Sequence, residues 1–475
     1  LNIKFVGRKQ NAAKMPHFAS PCYHGETGNL YARDSYRQHN KPTKIGRHRK
    51  NMRTITIFKN ATLIDGNGNK PIERGLIAIE NDKILYAGNA EKWKQPPEAI
   101  INEMDMTGRT ILPGLIDCHV HIAAECLPDS TMTGPWGWTS LIMLKHAQNT
   151  LAAGITTIRD VGGRHHLEFS LRKAVEAGMF AAPRMSLAGK LLSITSTGSE
   201  WYDGMYREAD GVDEVRKAAR EQLKAGADLI KMLATGAVLA PGEKPGAAQF
   251  EMEEIRAAVV EAAKVGKIVA AHAHGIEGIR NAVEAGAKTI EHGTYLNQDP
   301  RVMERMAKEE IFLVPTLKAG YDVIYGNKPG IPDWIMEKSK ETQEDALLSI
   351  RRAHEMGVPI AMGTDAATPY NFHGENAMEL AYMAEAGLSA MECIVASTKN
   401  AARALGWEKK LGTLEAGKLA DLIVVKKNPL DDLKTLADRK NIEYVMQGGK
   451  FVARQFASDS GIPEELMAGA WVCCG

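Results

Sequence analysis

From Thr54 onward the chain alternates short apolar runs with longer amphipathic stretches, and the spacing inside each predicts the element it builds. "RTITIFKNATLIDGNG" and "ERGLIAIENDKILYAG" alternate apolar and polar positions between Gly and Asn turns, as do "KLADLIVVKKNP" and "NIEYVMQGGKFVARQ" near the other end. A period of two predicts strands. Two β-rich pieces flanking one long centre are expected to join, as a small β-sandwich domain built from residues 52–112 and 410–457. In the centre, apolar runs alternate with Ala- and Glu-rich stretches of helical period. The runs "GLIDCHVHI", "GITTIRDV", "RMSLAG", "DLIKML", "KIVAAHAHG", "KTIEHG", "IFLVPTL" and "PIAMGTDA" number eight. Eight strands separated by helices predict an α/β protein with a (β/α)8 TIM-like barrel, here over residues 113–409.

In such a barrel the chemistry collects at the C-terminal ends of the strands. "LPGLIDCHVHIAAE" closes its apolar run with His119 and His121, and residues i and i+2 of a strand point to one side. Two imidazoles aimed at one spot suggest a metal, although a pair at a wet sheet edge, or satisfied within the core, fits the local pattern too. The other runs carry further candidates. Lys231 lies in the fourth, His272 in the fifth, His292 near the end of the sixth and Asp365 at the end of the eighth. All would meet at one mouth.

At 475 residues, 44% hydrophobic and 25% charged, the chain has room for a large core and an enclosed site. No apolar run approaches the roughly 20 residues needed to span a bilayer. The formal net charge of +1 divides unevenly, because residues 1–50 carry +9 and the remainder −8. Residues 1–51, without apolar periodicity, are expected to form a basic extension outside the folded unit, with an organellar or nucleic-acid-binding segment as the alternative. Residues 458–475 are read as a C-terminal tail. Six scattered cysteines without paired spacing fit a reducing cytoplasm.

The ordered set HxH, Lys, His, His and Asp resembles the metal-dependent amidohydrolase superfamily, and the likeness runs from about Thr54 to Gln455. The resemblance implies two divalent ions of the zinc type. His119, His121 and Asp365 would hold one and His272 and His292 the other, with Lys231 carbamylated (N6-carboxylated) as a bridge. A snorkelling barrel lysine is the plainer alternative for Lys231. His274, in phase with His272, stands where many relatives carry Tyr; polarising the scissile carbonyl and merely lining the pocket are both open to it.

"TIRDVGG", "LIKMLATGAV", "EHGTYL" and "LGTLEAGKLADLIVVKKNPLDDL" look most like the imidazolonepropionase-like amidases, a subgroup with Xaa-Pro dipeptidases, Lys/Arg carboxypeptidases and ochratoxin-cleaving amidases. That likeness implies hydrolysis of an amide between an acyl group and an amino acid by metal-activated hydroxide. The ion lowers the pKa of its water from about 15.7 to roughly 7. Asp365 would orient the hydroxide and pass its proton to the departing nitrogen. Arg159 is a candidate for a substrate carboxylate or for pairing with Asp160, and Tyr295 is a second candidate substrate contact. The partners expected are a small-molecule amide or dipeptide and further copies of the chain as a homo-oligomer, with no nucleic acid and no membrane. Two other readings stand beside this one. A mononuclear hydrolase or deaminase acting on a carbamate, urea or heterocycle would leave Lys231 a bystander, and a catalytically silent binding barrel would be expected to have lost some of these ligands.

Overall fold

The computed structural model describes residues 53–128 and 134–454. The basic extension, the C-terminal tail, and residues 52 and 455–457 of the expected β domain lie outside the described residues. The first five strands are β1 (Thr54–Leu63), β2 (Ile72–Glu80), β3 (Lys83–Asn89), β4 (Ile100–Asp105) and β5 (Thr110–Pro113). Nine more follow in the centre: β6 (Leu115–Val120), β7 (Ile155–Asp160), β8 (Arg184–Leu187), β9 (Leu191–Ser193), β10 (Tyr206–Glu208), β11 (Leu229–Leu233), β12 (Ile268–Ala273), β13 (Thr289–His292) and β14 (Phe312–Val314). The chain closes on β15 (Leu422–Val425), β16 (Ile442–Gln447) and β17 (Lys450–Arg454).

The two flanking pieces do join. Their eight strands form one sheet in the order β17-β16-β15-β5-β1-β2-β3, with β4 also paired to β1. The seam is β15 against β5, where Leu422 faces Pro113 and Val425 faces Thr110 in antiparallel register. Alternation along the seam assigns each side chain a core. Ile111, Leu422 and Val424 join Phe58 and Ile77 in the sheet's own apolar cluster, while Leu112, Ile423 and Val425 join the core of the central region. Each such side chain contributes about 1.5–3 kcal/mol when fully buried, so the seam stabilises both layers.

The centre has an α/β TIM-barrel-type arrangement of parallel strands. Its ladders form two sheets, β6-β7-β8 and β10-β9-β11-β12-β13-β14. Helices of period 3.6 separate the strands; the helix Val212–Ala225 buries Val215, Ala218, Ala219 and Gln222 along one stripe. Gly226 ends it at φ +103°, a left-handed conformation that lets the chain turn into β11.

Two departures from the expected barrel have local causes. The third run stops at Leu187, and the short β9, which the pattern did not predict, takes the place beside β11. The eighth run, "PIAMGTDA", is not a strand. It makes isolated bridges, Ile360 to Leu313 and Ala366 to Val120. Asp365 and Ala367 hold φ at +57° and +94°, which breaks any regular ladder there.

Candidate metal centre

The strand ends surround a cavity of about 150 Å³ whose lining includes His119, His121, Lys231, His272, His274, His292 and Asp365. The first run and the eighth are locked together beneath it. Asp117, fully buried, accepts from the His119 and Thr364 amides at 3.0 and 3.2 Å, from Thr364 Oγ1 at 2.6 Å and from Asn376 Nδ2 at 2.7 Å. The Asp365 amide donates to His119 O at 2.8 Å. Asp365 Oδ1 therefore sits 3.4 Å from His119 Nε2 and 3.3 Å from His121 Nε2. Burial pushes the Asp365 carboxyl up, but the two imidazoles outweigh it and hold it well below the usual range. Gly363 is required by packing, since a Cβ there would lie 2.8 Å from His119 Cβ and 2.4 Å from Val314 Cγ1.

The other wall carries three histidines. The His292 ring lies 4.5 Å from that of His272 and 4.7 Å from that of His274, centre to centre. In a regular strand Glu291 and His292 would point to opposite sides. A φ of +69° at His292 breaks that rule, and both residues meet His119. Burial holds the His272 and His292 imidazoles well below their usual pKa and takes His274 down to about 3, so all three are neutral.

Hydrogen-bond partners set which ring nitrogen is free. His119 Nδ1 donates to Glu291 Oε2 at 2.8 Å, and His121 Nδ1 donates to Gly162 O at 3.3 Å. Thr316 Oγ1 donates to Pro315 O and so accepts from His292 Nδ1 at 2.7 Å. With a metal in place of the Nε2 proton, these three rings would offer Nε2 as the lone-pair nitrogen. His272 Nε2 donates to Gly236 O at 3.3 Å, which leaves Nδ1.

Such a donor set fits divalent ions. Ligand atoms of His272, His274 and His292 lie within 4.8 Å of one another, and so do those of His119, His292 and Asp365. The grouping differs from the division implied by the resemblance, because His274 stands with the second group and His292 touches both. Lys231 is the decisive neighbour. Burial takes its amine down to about 8 against the pull of Glu291 and Asp365, and its Nζ is buried without a hydrogen-bond partner. An ammonium so placed is costly, and the lowered pKa brings the uncharged, nucleophilic amine within easier reach of modification.

Arg159 is buried under the site, away from the cavity lining. Its guanidinium donates to Cys118 O at 2.5 Å, Thr289 Oγ1 at 3.2 Å and Glu291 Oε1 at 2.8 Å. Its carboxylate partner is therefore Glu291 rather than Asp160, and it has no face to offer a substrate. Tyr295 is likewise absent from the lining; the charges that act on its hydroxyl are those of Glu341 and Asp345. Sequence reasoning missed Glu291. Burial opposes its charge, yet Arg159 and His119 hold it down to about 2, an ionised carboxylate behind a candidate ligand. Its signal was a Glu inside the short apolar run "KTIEHG".

A match to the amidohydrolase family spans residues 110–452, which takes in every one of these donors. The chain belongs to the amidohydrolase family. It is 30% identical over 427 residues to the ochratoxinase of Aspergillus niger, a likeness covering 83% of this chain and 86% of that one. Among solved structures, this amidohydrolase superposes on a Xaa-Pro dipeptidase with bound methionine at a TM-score of 0.76, with 34% identity over 84% of this chain and 99% of that one. A prolidase complexed with N-methylphosphonate-L-proline gives a TM-score of 0.77 and 30% identity, covering 84% and 100%. These likenesses place the chain in the imidazolonepropionase-like amidase subgroup, as a hydrolase of carbon–nitrogen bonds. No helix among the described residues is long and apolar enough to cross a membrane.

Proposed function

We propose that this amidohydrolase cleaves the amide between an acyl group and an amino acid, in an N-acyl amino acid or a dipeptide, with two divalent ions of the zinc type. The observation that carries the reading is the convergence of His119, His121, His272, His292 and Asp365 around Lys231, whose Nζ is buried without a partner. N6-carboxylation of Lys231 would replace a costly cation by a carboxylate able to bridge two ions. When bound, the ions supply Lewis acidity and a lowered pKa for water. Asp365 holds the attacking water, takes its proton at a carboxylate oxygen and delivers it to the departing nitrogen. His274, free on the nitrogen not bonded to Thr294, is placed to polarise the carbonyl or to line the pocket. Substrate identity follows from the relatives, an ochratoxinase and prolidases.

A second reading is supported by the triad His272, His274 and His292, which offers three nitrogens to a single ion as in mononuclear zinc hydrolases. One experiment separates the two. Protein loaded with zinc and ¹³C-bicarbonate is analysed for metal, for a carbamate carbon by NMR, and for hydrolysis of N-acyl amino acids and dipeptides. Two ions, a carbamate signal and amide hydrolysis support the binuclear reading. A firm single ion with Lys231→Ala fully active supports the mononuclear one.

The flanking sheet (52–112 and 410–457) is proposed as a β-sandwich domain around a barrel of 113–409, supported by the sheet's own cluster around Phe58 and Val424. The free thiols of Cys118, Cys126 and Cys393 support a reducing, cytoplasmic setting.

A further inference from the structure

Away from the histidines the cavity walls are apolar, formed by residues such as Leu239, Leu317, Ala319 and Val323. One fully buried polar atom in that wall, Gln343 Nε2, is without a partner. Gln343, on the helix Asp333–Glu355, is buried, lines the cavity, and has an Nε2 without an acceptor. Its neighbours are committed: Thr342 Oγ1 donates to the Lys338 and Ser339 carbonyls at 3.0 Å, and the Tyr202 hydroxyl to Leu239 O at 3.0 Å. Space is reserved for the carboxamide. A Cβ on Gly320 would come within 2.5 Å of Gln343 Oε1, so any side chain at 320 would displace it.

Cations are missing from this wall. Lys231 is the one Lys or Arg in the described lining. Lys318 lies buried behind it, paired with Asp322 and 3.6 Å from Glu375, and Arg159 is committed to Glu291. A buried amide donor without a partner carries a desolvation cost that a ligand acceptor would relieve. On the reading of the site as an acyl–amino acid amidase, one acceptor outside the scissile amide is common to every such substrate: the α-carboxylate. We infer that Gln343 is a specificity-determining residue that donates from its carboxamide to the α-carboxylate of the amino acid, in a pocket whose apolar walls favour apolar side chains.

The test uses the zinc-loaded full chain with N-benzoyl-L-phenylalanine, with N-benzoyl-2-phenylethylamine, which lacks the carboxylate, and with calorimetric binding of L-phenylalanine. Gln343→Met keeps the length and removes the donor. It should raise KM for benzoylphenylalanine by about 10-fold or more, the range for a lost hydrogen bond to a charged group, with kcat and the phenylethylamine substrate little changed. Gln343→Glu should raise that KM further by placing two carboxylates together. Unchanged KM for benzoylphenylalanine in both variants overturns the inference. Hydrolysis of neither amide by the unmodified chain overturns the proposed function instead; Gln343 is then judged by L-phenylalanine binding alone, which both variants should weaken and which, if unaltered, removes the role.

Discussion

The two walls of the centre hold their histidines by different means. Around His119 the support is ionic, Glu291 behind the ring and Arg159 behind Glu291, with Asp365 between the His119 and His121 rings; His121 itself rests on the Gly162 carbonyl. Around His272, His274 and His292 they are neutral, namely the Gly236 carbonyl and the hydroxyls of Thr294 and Thr316. An anionic support makes the imidazole ahead of it a stronger donor and fixes its tautomer, whereas a hydroxyl mainly orients the ring. The first wall is thus built for tight charge compensation and the second for geometry. Two ions bound here would be inequivalent, the ion on the Asp365 side being held more firmly.

The sharpest way to break this contrast is Asp365→Asn, which keeps an oxygen for the metal and removes the carboxylate. Turnover should fall by roughly the 10²–10⁴ of a lost general acid/base, while metal content measured by elemental analysis falls much less. Near-native turnover with metal bound would remove Asp365 from the proton path. Loss of both metal and activity would limit it to ligation and move the proton route to His274.

Lys231→Ala acts between the walls. Elemental analysis should drop from about two ions per chain to about one, and the ¹³C carbamate signal should vanish; two retained ions would make Lys231 a bystander. Glu291→Gln weakens only the ionic wall. Competition with a chelator should show affinity at the His119 site reduced by about 10–100-fold. Its melting temperature should also fall, because Arg159 is left buried and unpaired, and breaking such a pair costs about 3–5 kcal/mol.

Thr316→Val supplies the matching lesion on the neutral wall and the smallest effect. A single hydrogen bond to His292 Nδ1 is lost, so stability should fall by about 0.5–1.5 kcal/mol and metal affinity less than in Glu291→Gln. If the two variants weaken metal binding equally, the walls do not differ in the way their supports suggest.

Much of this centre was legible in local pattern. Period two placed His119 with His121 and His272 with His274, and the ring pairs are 5.5 and 4.7 Å apart between centres. The rule that barrel chemistry sits at strand ends assembled the same residues around one cavity. For His292 and Asp365 it was strand-end position and not periodicity that placed them in the centre, since both reach it through left-handed φ values that a regular strand does not have. Arg159, by contrast, was misplaced. The chain neighbour Asp160 spends its carboxylate on the Ile122 and Gly162 amides, leaving Glu291, 132 residues along the chain, as the guanidinium's partner.

By itself the sequence determined the kind of protein: alternating strands and helices, a donor set suited to divalent ions, and motifs sufficient to assign the amidohydrolase family. These are properties of short stretches, since a strand's period and a side chain's chemistry are written within a few residues. Only the tertiary structure decided which wall is ionic, that Arg159 is spent beneath the site, that the eighth run is a pair of bridges, and that Lys231 Nζ and Gln343 Nε2 are left without partners. Each of those depends on which distant segments pack together, and a buried group's charge and free hydrogen bonds are set by whatever surrounds it in space.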